Sequence, residues 1–232
     1  MSTASTDRAP LDDAARALVD AGRALVDAGL SPGSSGNLSV RVGDRIRMTG
    51  TGASLGALDA ASLSTLDAAG TLLEGARASK EVPLHLGMYA RDARHAAVVH
   101  VHSPYAVALS CLAPWSDESA IPPLTPYVLM RVGQVPLLPF AAPGDAALGA
   151  LVADCPHPFR GALLANHGAI VAGEDLPTAV TAAIELEEAC RIAVLTAGAE
   201  RRLIAPEQVR EIADRWGMPW TGSYGASEAS RS

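Results

Sequence analysis

The stretch Ala96-Ala97-Val98-Val99-His100-Val101-His102-Ser103 predicts a central strand that carries functional side chains. Its small and β-branched residues indicate a buried strand over residues 96–102. Side chains two residues apart on a strand lie on the same face, so His100 and His102 can share a metal ion. Catalytic metal sites often take three protein ligands, and His167, in a tight Asn-His-Gly turn, is the third candidate. Taken alone, the His-x-His pattern is equally consistent with two hydrogen-bonded histidines of the core.

The segments on either side of this strand predict one α/β domain, because helical patterns alternate with short strands and no linker separates two cores. We expect residues 1–10 to be a disordered N-terminus, residues 11–220 to form the domain, and residues 221–232 to be a polar, disordered tail. The predicted helices are 11–28, 81–91, 146–153, 176–197 and 206–216. The predicted strands, besides 96–102, are 38–41, 45–49, 135–140, 161–165 and 170–172.

The composition excludes several classes of protein. The 232 residues carry a net charge of −7, and no basic stripe indicates a nucleic-acid partner. No apolar run approaches the roughly 20 residues of a membrane span, and the polar N-terminus lacks the apolar middle of a signal peptide. The three cysteines are scattered and odd in number, which favours a reducing compartment. The expected location is therefore the cytoplasm, with no membrane partner.

Two glycine-rich turns are candidate anion sites. Ser34-Ser35-Gly36-Asn37 and Thr51-Gly52 offer hydroxyls, an amide and backbone N–H groups. Consecutive backbone donors in a turn form concave sites for phosphate. The same residue types also make ordinary turns, and each turn taken singly favours that simpler interpretation.

The tripeptide Ser79-Lys80-Glu81 is the third candidate segment. Lys80 is the only lysine in the chain, and it stands beside a carboxylate that can act as an acid or a base. The alternative is a solvated helix start, where the negative charge of Glu81 is favourable for the helix dipole.

These motifs, in this order, resemble those of the class II aldolase/adducin family, and the resemblance covers roughly residues 11–216. It implies one domain with a mainly antiparallel central sheet flanked by helices, assembled as a homotetramer with sites between adjacent subunits. It also implies that His100, His102 and His167 hold one divalent metal ion, usually Zn²⁺, with Mn²⁺ or Co²⁺ as alternatives. Glu81 would move the proton, and Tyr127 of a neighbouring subunit would complete the catalytic site. The residues implied in binding the substrate phosphate are Ser34, Gly36, Asn37, Thr51, Gly52 and Ser79.

Within the family, residues 78–85, 102–105 and 124–133 resemble the 3-oxo-tetronate 4-phosphate decarboxylase branch. Fuculose-phosphate aldolases have a second serine where this chain has Lys80. We expect Lys80 to contact the phosphate of the substrate, a small phosphorylated sugar acid. The implied reaction is decarboxylation to dihydroxyacetone phosphate and CO₂ through a metal-stabilised enediolate. The alternatives are a sugar-phosphate aldolase of the fuculose or rhamnulose type, a pentulose-phosphate 4-epimerase, and an adducin-like binding module without enzymatic activity.

Overall fold

The computed structural model describes residues 8–31 and 33–222, and its helices are spread along the whole of this part of the chain. Two short 3₁₀ helices, Leu55–Ala57 and Ala60–Ser62, lie between the second and third strands. None of the described helices combines the length and the apolar character that crossing a bilayer requires. The α-helices are α1 (Arg8–Asp27), α2 (Val82–Arg91), α3 (Pro104–Ser110), α4 (Pro126–Arg131), α5 (Ala147–Ala153), α6 (Leu176–Leu195) and α7 (Pro206–Trp216).

The strands form a mixed sheet of eight, in the order β4-β3-β2-β1-β5-β8-β7-β6. All neighbouring strands pair antiparallel except β6 and β7, which are parallel. The predicted mainly antiparallel sheet is therefore confirmed. The strands are β1 (Asn37–Val42), β2 (Arg45–Thr49), β3 (Leu63–Asp67), β4 (Leu72–Gly75), β5 (Ala97–Val101), β6 (Leu137–Leu138), β7 (Gly161–Leu164) and β8 (Gly168–Gly173).

Helices cover both faces of the sheet. Successive side chains of a strand point to opposite faces, so those of the central strands are buried on both sides. On β5, Val99 and Val101 join the apolar cluster that includes residues of α1, α3, α4 and α6. Val98 joins the second cluster, with residues of α2 and α5. His100 alternates with Val99 and Val101, so it lies on the α2 side of the sheet.

Some predicted boundaries need correction. The helix α1 begins at Arg8, so residues 8–10 are helical, whereas residues 1–7 and 223–232 lie outside the described residues. The strand predicted over 135–140 is reduced to Leu137–Leu138, since Pro136 and Pro139 flank it and proline cannot donate to a ladder. The strand predicted over 96–102 ends at Val101, so His102 lies just beyond it.

Candidate active site

Four side chains converge where the end of β5, the β7–β8 turn and the start of α2 meet. One ligand atom from each of Glu81, His100, His102 and His167 lies within 4.8 Å of those of the other three. The Nε2 atoms of His100 and His102 are 3.0 Å apart. The three imidazole rings pack edge to face, with centroids 4.7 to 4.9 Å apart. Three histidines and one carboxylate within this distance are a typical donor set for a divalent transition metal.

The local hydrogen bonding turns His100 toward this cluster. Its Nδ1 lies 2.9 Å from the carbonyl oxygen of Ala169. A carbonyl only accepts, so Nδ1 carries the proton and Nε2 keeps a lone pair for a ligand bond. Burial lowers the pKa of His100 to about 4, although the charge of Glu81 opposes the shift. His100 is therefore neutral at physiological pH, which is the form that coordinates metals.

His167 and Glu81 leave buried polar atoms without hydrogen-bond partners. Within the described residues, this holds for both ring nitrogens of His167 and for Glu81 Oε1. His167 Nε2 lies 3.3 Å from Glu81 Oε1, a distance that is short without hydrogen-bond geometry. An unpaired buried polar atom costs about 1–3 kcal/mol. A cation bound by one ring nitrogen of His167 would satisfy that atom, so the residues present fit a divalent ion.

A half-buried carboxylate on α6 fixes the segment that carries His102. Glu187 Oε2 accepts hydrogen bonds from Ser103 Oγ (2.6 Å) and from the backbone N–H of Ala106 (2.8 Å). Its Oε1 accepts from the backbone N–H of Tyr105 at 2.8 Å. These are first-turn N–H groups of α3, which lack partners within the helix. Glu187 therefore sets where α3 starts, and with it the position of His102 directly before.

Glu81 stands at the N-cap of α2, but its carboxylate points to the cluster and makes no cap hydrogen bond. Oε2 accepts from Asn37 Nδ2 at 2.7 Å and lies 3.4 Å from His100 Nε2. Burial acts to raise the pKa of Glu81, but the imidazoles of His167 and His100 and the Asn37 amide lower it by more, to below its usual range. The carboxylate is therefore ionised before substrate binds.

The two candidate phosphate-binding turns lie at the same end of the strands as the four converging side chains. Asn37 on β1 pairs with His100 on β5, and a Cβ on Gly36 would lie 2.8 Å from the His100 carbonyl oxygen. The backbone N–H of Thr51 donates to the Arg77 carbonyl, which links the second turn to the segment before Ser79. Ser34, Thr51 and Gly52 are exposed, whereas Ser79 is buried and accepts from the Glu81 backbone N–H at 3.2 Å. Their binding of phosphate stays a prediction.

The Lys80 side chain is exposed and lies against Gly144. A Cβ added at Gly144 would lie 3.0 to 3.1 Å from the Cβ, Cγ and Cδ atoms of Lys80, so glycine there leaves room for the lysine stem. The lysine charge reaches the cluster. The pKa of His102 is lowered first by burial, then by the neighbouring His167, and also by Lys80, while Glu81 opposes the shift. An ammonium group whose charge acts on His102 suits a substrate that carries two anionic groups.

Tyr127, the other predicted catalytic residue, lies on α4 and is 60% exposed. Its predicted role depends on a neighbouring subunit and stays a prediction. Sequence analysis missed His85, Ser39 and Tyr89, which extend the hydrogen bonds of Glu81 and Asn37 into the core. The available signal was the four-residue spacing of Glu81, His85 and Tyr89, which places them on one face of a helix.

Comparison with known proteins agrees with this geometry. The family model of the class II aldolase and adducin N-terminal domain matches residues 16–194. The 3-oxo-tetronate 4-phosphate decarboxylase of Pectobacterium atrosepticum is 41% identical over 181 residues, 78% of this chain and 83% of that protein. The L-fuculose phosphate aldolase of Methanococcus maripaludis is more distant, at 31% identity over 69% of this chain and 84% of that protein.

Among solved structures, YgbL from Escherichia coli superposes with a TM-score of 0.83. It is 35% identical and covers 88% of this chain and 99% of its own. The sheet topology, the four converging side chains and the family match over most of the chain agree with one another. The chain belongs to the class II aldolase and adducin N-terminal domain family, whose aldolases depend on a divalent metal ion.

Proposed function

We propose that this chain is a carbon–carbon lyase that decarboxylates 3-oxo-tetronate 4-phosphate to dihydroxyacetone phosphate and CO₂. The observation that carries the proposal is the buried, ionised Glu81 beside three inward-facing histidines. The relative named for this reaction is 41% identical, against 31% for the relative named as an aldolase.

Decarboxylation requires that the electron pair of the breaking bond be stabilised and that one carbon be protonated. The substrate is a β-keto acid, so the electrons of the breaking C1–C2 bond move toward the C3 carbonyl as CO₂ leaves. A divalent ion held by His100, His102 and His167, which we propose to be Zn²⁺ with Mn²⁺ or Co²⁺ as alternatives, supplies Lewis-acid stabilisation of that negative charge. Aldol cleavage of a ketose phosphate produces the same kind of enediolate, which explains how one scaffold serves both reactions.

Glu81 moves the proton in this proposal. Because it is ionised before substrate binds, it first accepts a proton, for which the C2 hydroxyl of the substrate is the source. After CO₂ has left, Glu81 delivers that proton to C2, and the hydroxyl oxygen takes up a proton from solvent. Its Oε1 has no hydrogen-bond partner within the described residues, whereas Oε2 is held by Asn37. We therefore assign the proton transfer to Oε1.

The second candidate function is aldol cleavage of a sugar phosphate, which the aldolase relative favours. An epimerase reaction is the further enzymatic alternative. An adducin-like module without activity is disfavoured, because a binding surface has no need for three inward-facing histidines around a carboxylate. The deciding experiment is CO₂ release from freshly prepared 3-oxo-tetronate 4-phosphate, run beside cleavage of fuculose 1-phosphate with the same metal-loaded protein. Aldehyde formation without CO₂ would replace the decarboxylase by the aldolase.

Lys80 provides a sharper prediction about the substrate. We propose that its ammonium binds the substrate phosphate, because Ser79 beside it belongs to the predicted phosphate site together with Asn37 and Thr51. Binding the carboxylate instead would stabilise the ground state more than the transition state, in which that charge is leaving as neutral CO₂. We expect Lys80→Ser to lower kcat/KM for decarboxylation by about tenfold or more, equivalent to at least ~1.4 kcal/mol.

The control for Lys80→Ser is Arg77→Ser, which removes an exposed cation close by in the sequence. Steady-state kinetics on the keto acid measure both variants. Unchanged kinetics in Lys80→Ser would mean that the lysine is solvated, and they would remove the main reason within the site for preferring the decarboxylase over the aldolase.

We further propose that the protein acts in the cytoplasm as a homotetramer in which Tyr127 of one subunit reaches the site of the next. The exposure of Tyr127 on α4 supports this arrangement, since a tyrosine with most of its surface free is available to a neighbour. A fully active monomer in sedimentation velocity would contradict the proposed assembly.

A further inference from the structure

A chain of buried hydrogen bonds runs from Glu81 into the core behind the histidine cluster. Asn37 Nδ2 donates to Glu81 Oε2 at 2.7 Å, and Asn37 Oδ1 lies 2.5 Å from His85 Nε2. Ser39 Oγ lies 2.7 Å from His85 Nδ1 and also 2.7 Å from the Tyr89 hydroxyl. Each of the five side chains is at most 7% exposed, so water does not compete for these bonds.

Two regular elements bring these side chains together. Glu81, His85 and Tyr89 are four residues apart, so they stack along one face of α2 and its N-cap. Asn37 and Ser39 are two apart on β1 and therefore share the face of the strand that α2 covers. The helical and strand periods place each set of groups on one face of its element, and the packing of α2 on β1 brings the two faces together.

The chemistry of the groups determines which atom donates and which accepts in every hydrogen bond of this network. An ionised carboxylate only accepts, so the Asn37 amide must present its NH₂ to Glu81 and its carbonyl oxygen to His85. His85 Nε2 must then carry the ring proton, and Nδ1 must accept from Ser39, which accepts from Tyr89. All the donors point toward Glu81. Without the donor on His85, the Asn37 carbonyl oxygen would be buried and unpaired, and the amide would lose what fixes its orientation.

We propose that His85 is a positioning residue for Glu81: through the Asn37 amide it holds Oε2 and keeps Oε1 free for proton transfer. His85 itself does not reach the metal cluster, since both ring nitrogens are occupied by Asn37 and Ser39. The inference rests on the acid/base role proposed above for Glu81. The competing explanation is that the network only fastens α2 to β1.

The test uses a reaction that a decarboxylase and an aldolase of this family would share. In D₂O, the metal-loaded enzyme should exchange the hydrogens of the hydroxymethyl carbon of dihydroxyacetone phosphate, which NMR follows directly. We expect His85→Leu to lower kcat for exchange by about tenfold or more, with KM and metal content unchanged. His85→Gln should recover most of that loss, because its amide can still donate to Asn37. His157→Leu, a histidine outside the network, is the control.

Several outcomes would overturn the proposal. One is an unchanged rate of exchange in His85→Leu. Another is an equal loss of kcat in the Leu and Gln variants together with a raised KM, which is expected if the network only fastens α2 to β1. Should His85→Leu not fold, Ser39→Ala tests the same chain, because it removes the donor that fixes the tautomer of His85. A fall of a few fold in kcat at constant KM is then expected, and an unchanged kcat contradicts the proposal.

The same assays separate this inference from the proposed function. A wild-type enzyme that exchanges deuterium but releases no CO₂ removes the decarboxylase assignment, while the His85 variants still test positioning. If the wild type and His85→Leu release CO₂ at the same rate, the positioning role of His85 is contradicted and the decarboxylase assignment stands. A wild-type enzyme that does neither removes the role of Glu81, and with it the inference about His85.

Discussion

Replacing Glu81 by glutamine is expected to lower kcat for CO₂ release by roughly 10²–10⁴-fold, the usual contribution of a positioned acid/base group. Glutamine keeps the length and planarity of the side chain, so Asn37 can still donate to its carbonyl oxygen. What it loses is the ability to accept a proton and return it to carbon. Deuterium exchange into dihydroxyacetone phosphate should fall by a similar factor, since it depends on the same transfer.

The matched control is Glu188→Gln, which changes an exposed carboxylate of α6 that pairs with Arg191. It should leave kcat within experimental error of the wild type. Metal content has to be measured for Glu81→Gln, because the carboxylate lies 3.3 Å from His167 Nε2 and 3.4 Å from His100 Nε2. A Glu81→Gln enzyme with full metal and a kcat within threefold of the wild type would place the acid/base group elsewhere.

The sequence predicted those parts of the fold in which local pattern and tertiary structure agree. The helices α6 and α7 and the hairpin of β1 and β2 lie within a few residues of their predicted bounds, because their hydrophobic periods are regular. The antiparallel sheet came from the family resemblance, and the structure confirms it. The strands β3 and β4 were missed. The residues of β3 are buried except for the last, and those of β4 at the sheet edge are all exposed, so neither strand has an alternation of buried and exposed positions.

The short helices were missed for another reason. The helices α3 and α4 have seven and six residues, too short for a periodic apolar stripe. Their sequence signal was the cap: Ser103-Pro104 and Thr125-Pro126 each place a hydroxyl residue before a proline, which favours a helix start. The anchor of α3 was beyond any local pattern, since Glu187 is more than 80 residues away in the chain.

The sequence predicted the cluster of three histidines, but not the hydrogen-bond network behind Glu81. His100 and His102 share a face by strand geometry, even though the strand ends at Val101. The helical spacing of His85 and Tyr89 is equally typical of an apolar core face and of a polar network. Only the packing of α2 on β1 brings Asn37 and Ser39 opposite them and distinguishes the two.

Replacing His167 by alanine is expected to have the largest effect on metal binding, and it is the cleanest test of the site. The ring nitrogens of His167 have no hydrogen-bond partner within the described residues, so its removal breaks no hydrogen bond there. Any loss of metal then reports the missing ligand. The affinity should fall by more than the roughly 10–100-fold that loss of a supporting outer-shell group costs. Metal analysis after dialysis against a weak chelator measures it.

His100→Ala is the companion variant, and it should also lose the metal. In contrast to His167, His100 is fully buried and bonded to the Ala169 carbonyl, so its removal leaves a cavity and an unpaired acceptor. His100→Ala should therefore lower the melting temperature of the metal-free protein. His167→Ala should lower the melting temperature much more when metal is present than when it is absent. Full metal retention in both variants would contradict the assignment. If only His100→Ala lost the metal, its structural damage would explain the loss, and His167 would not be a ligand.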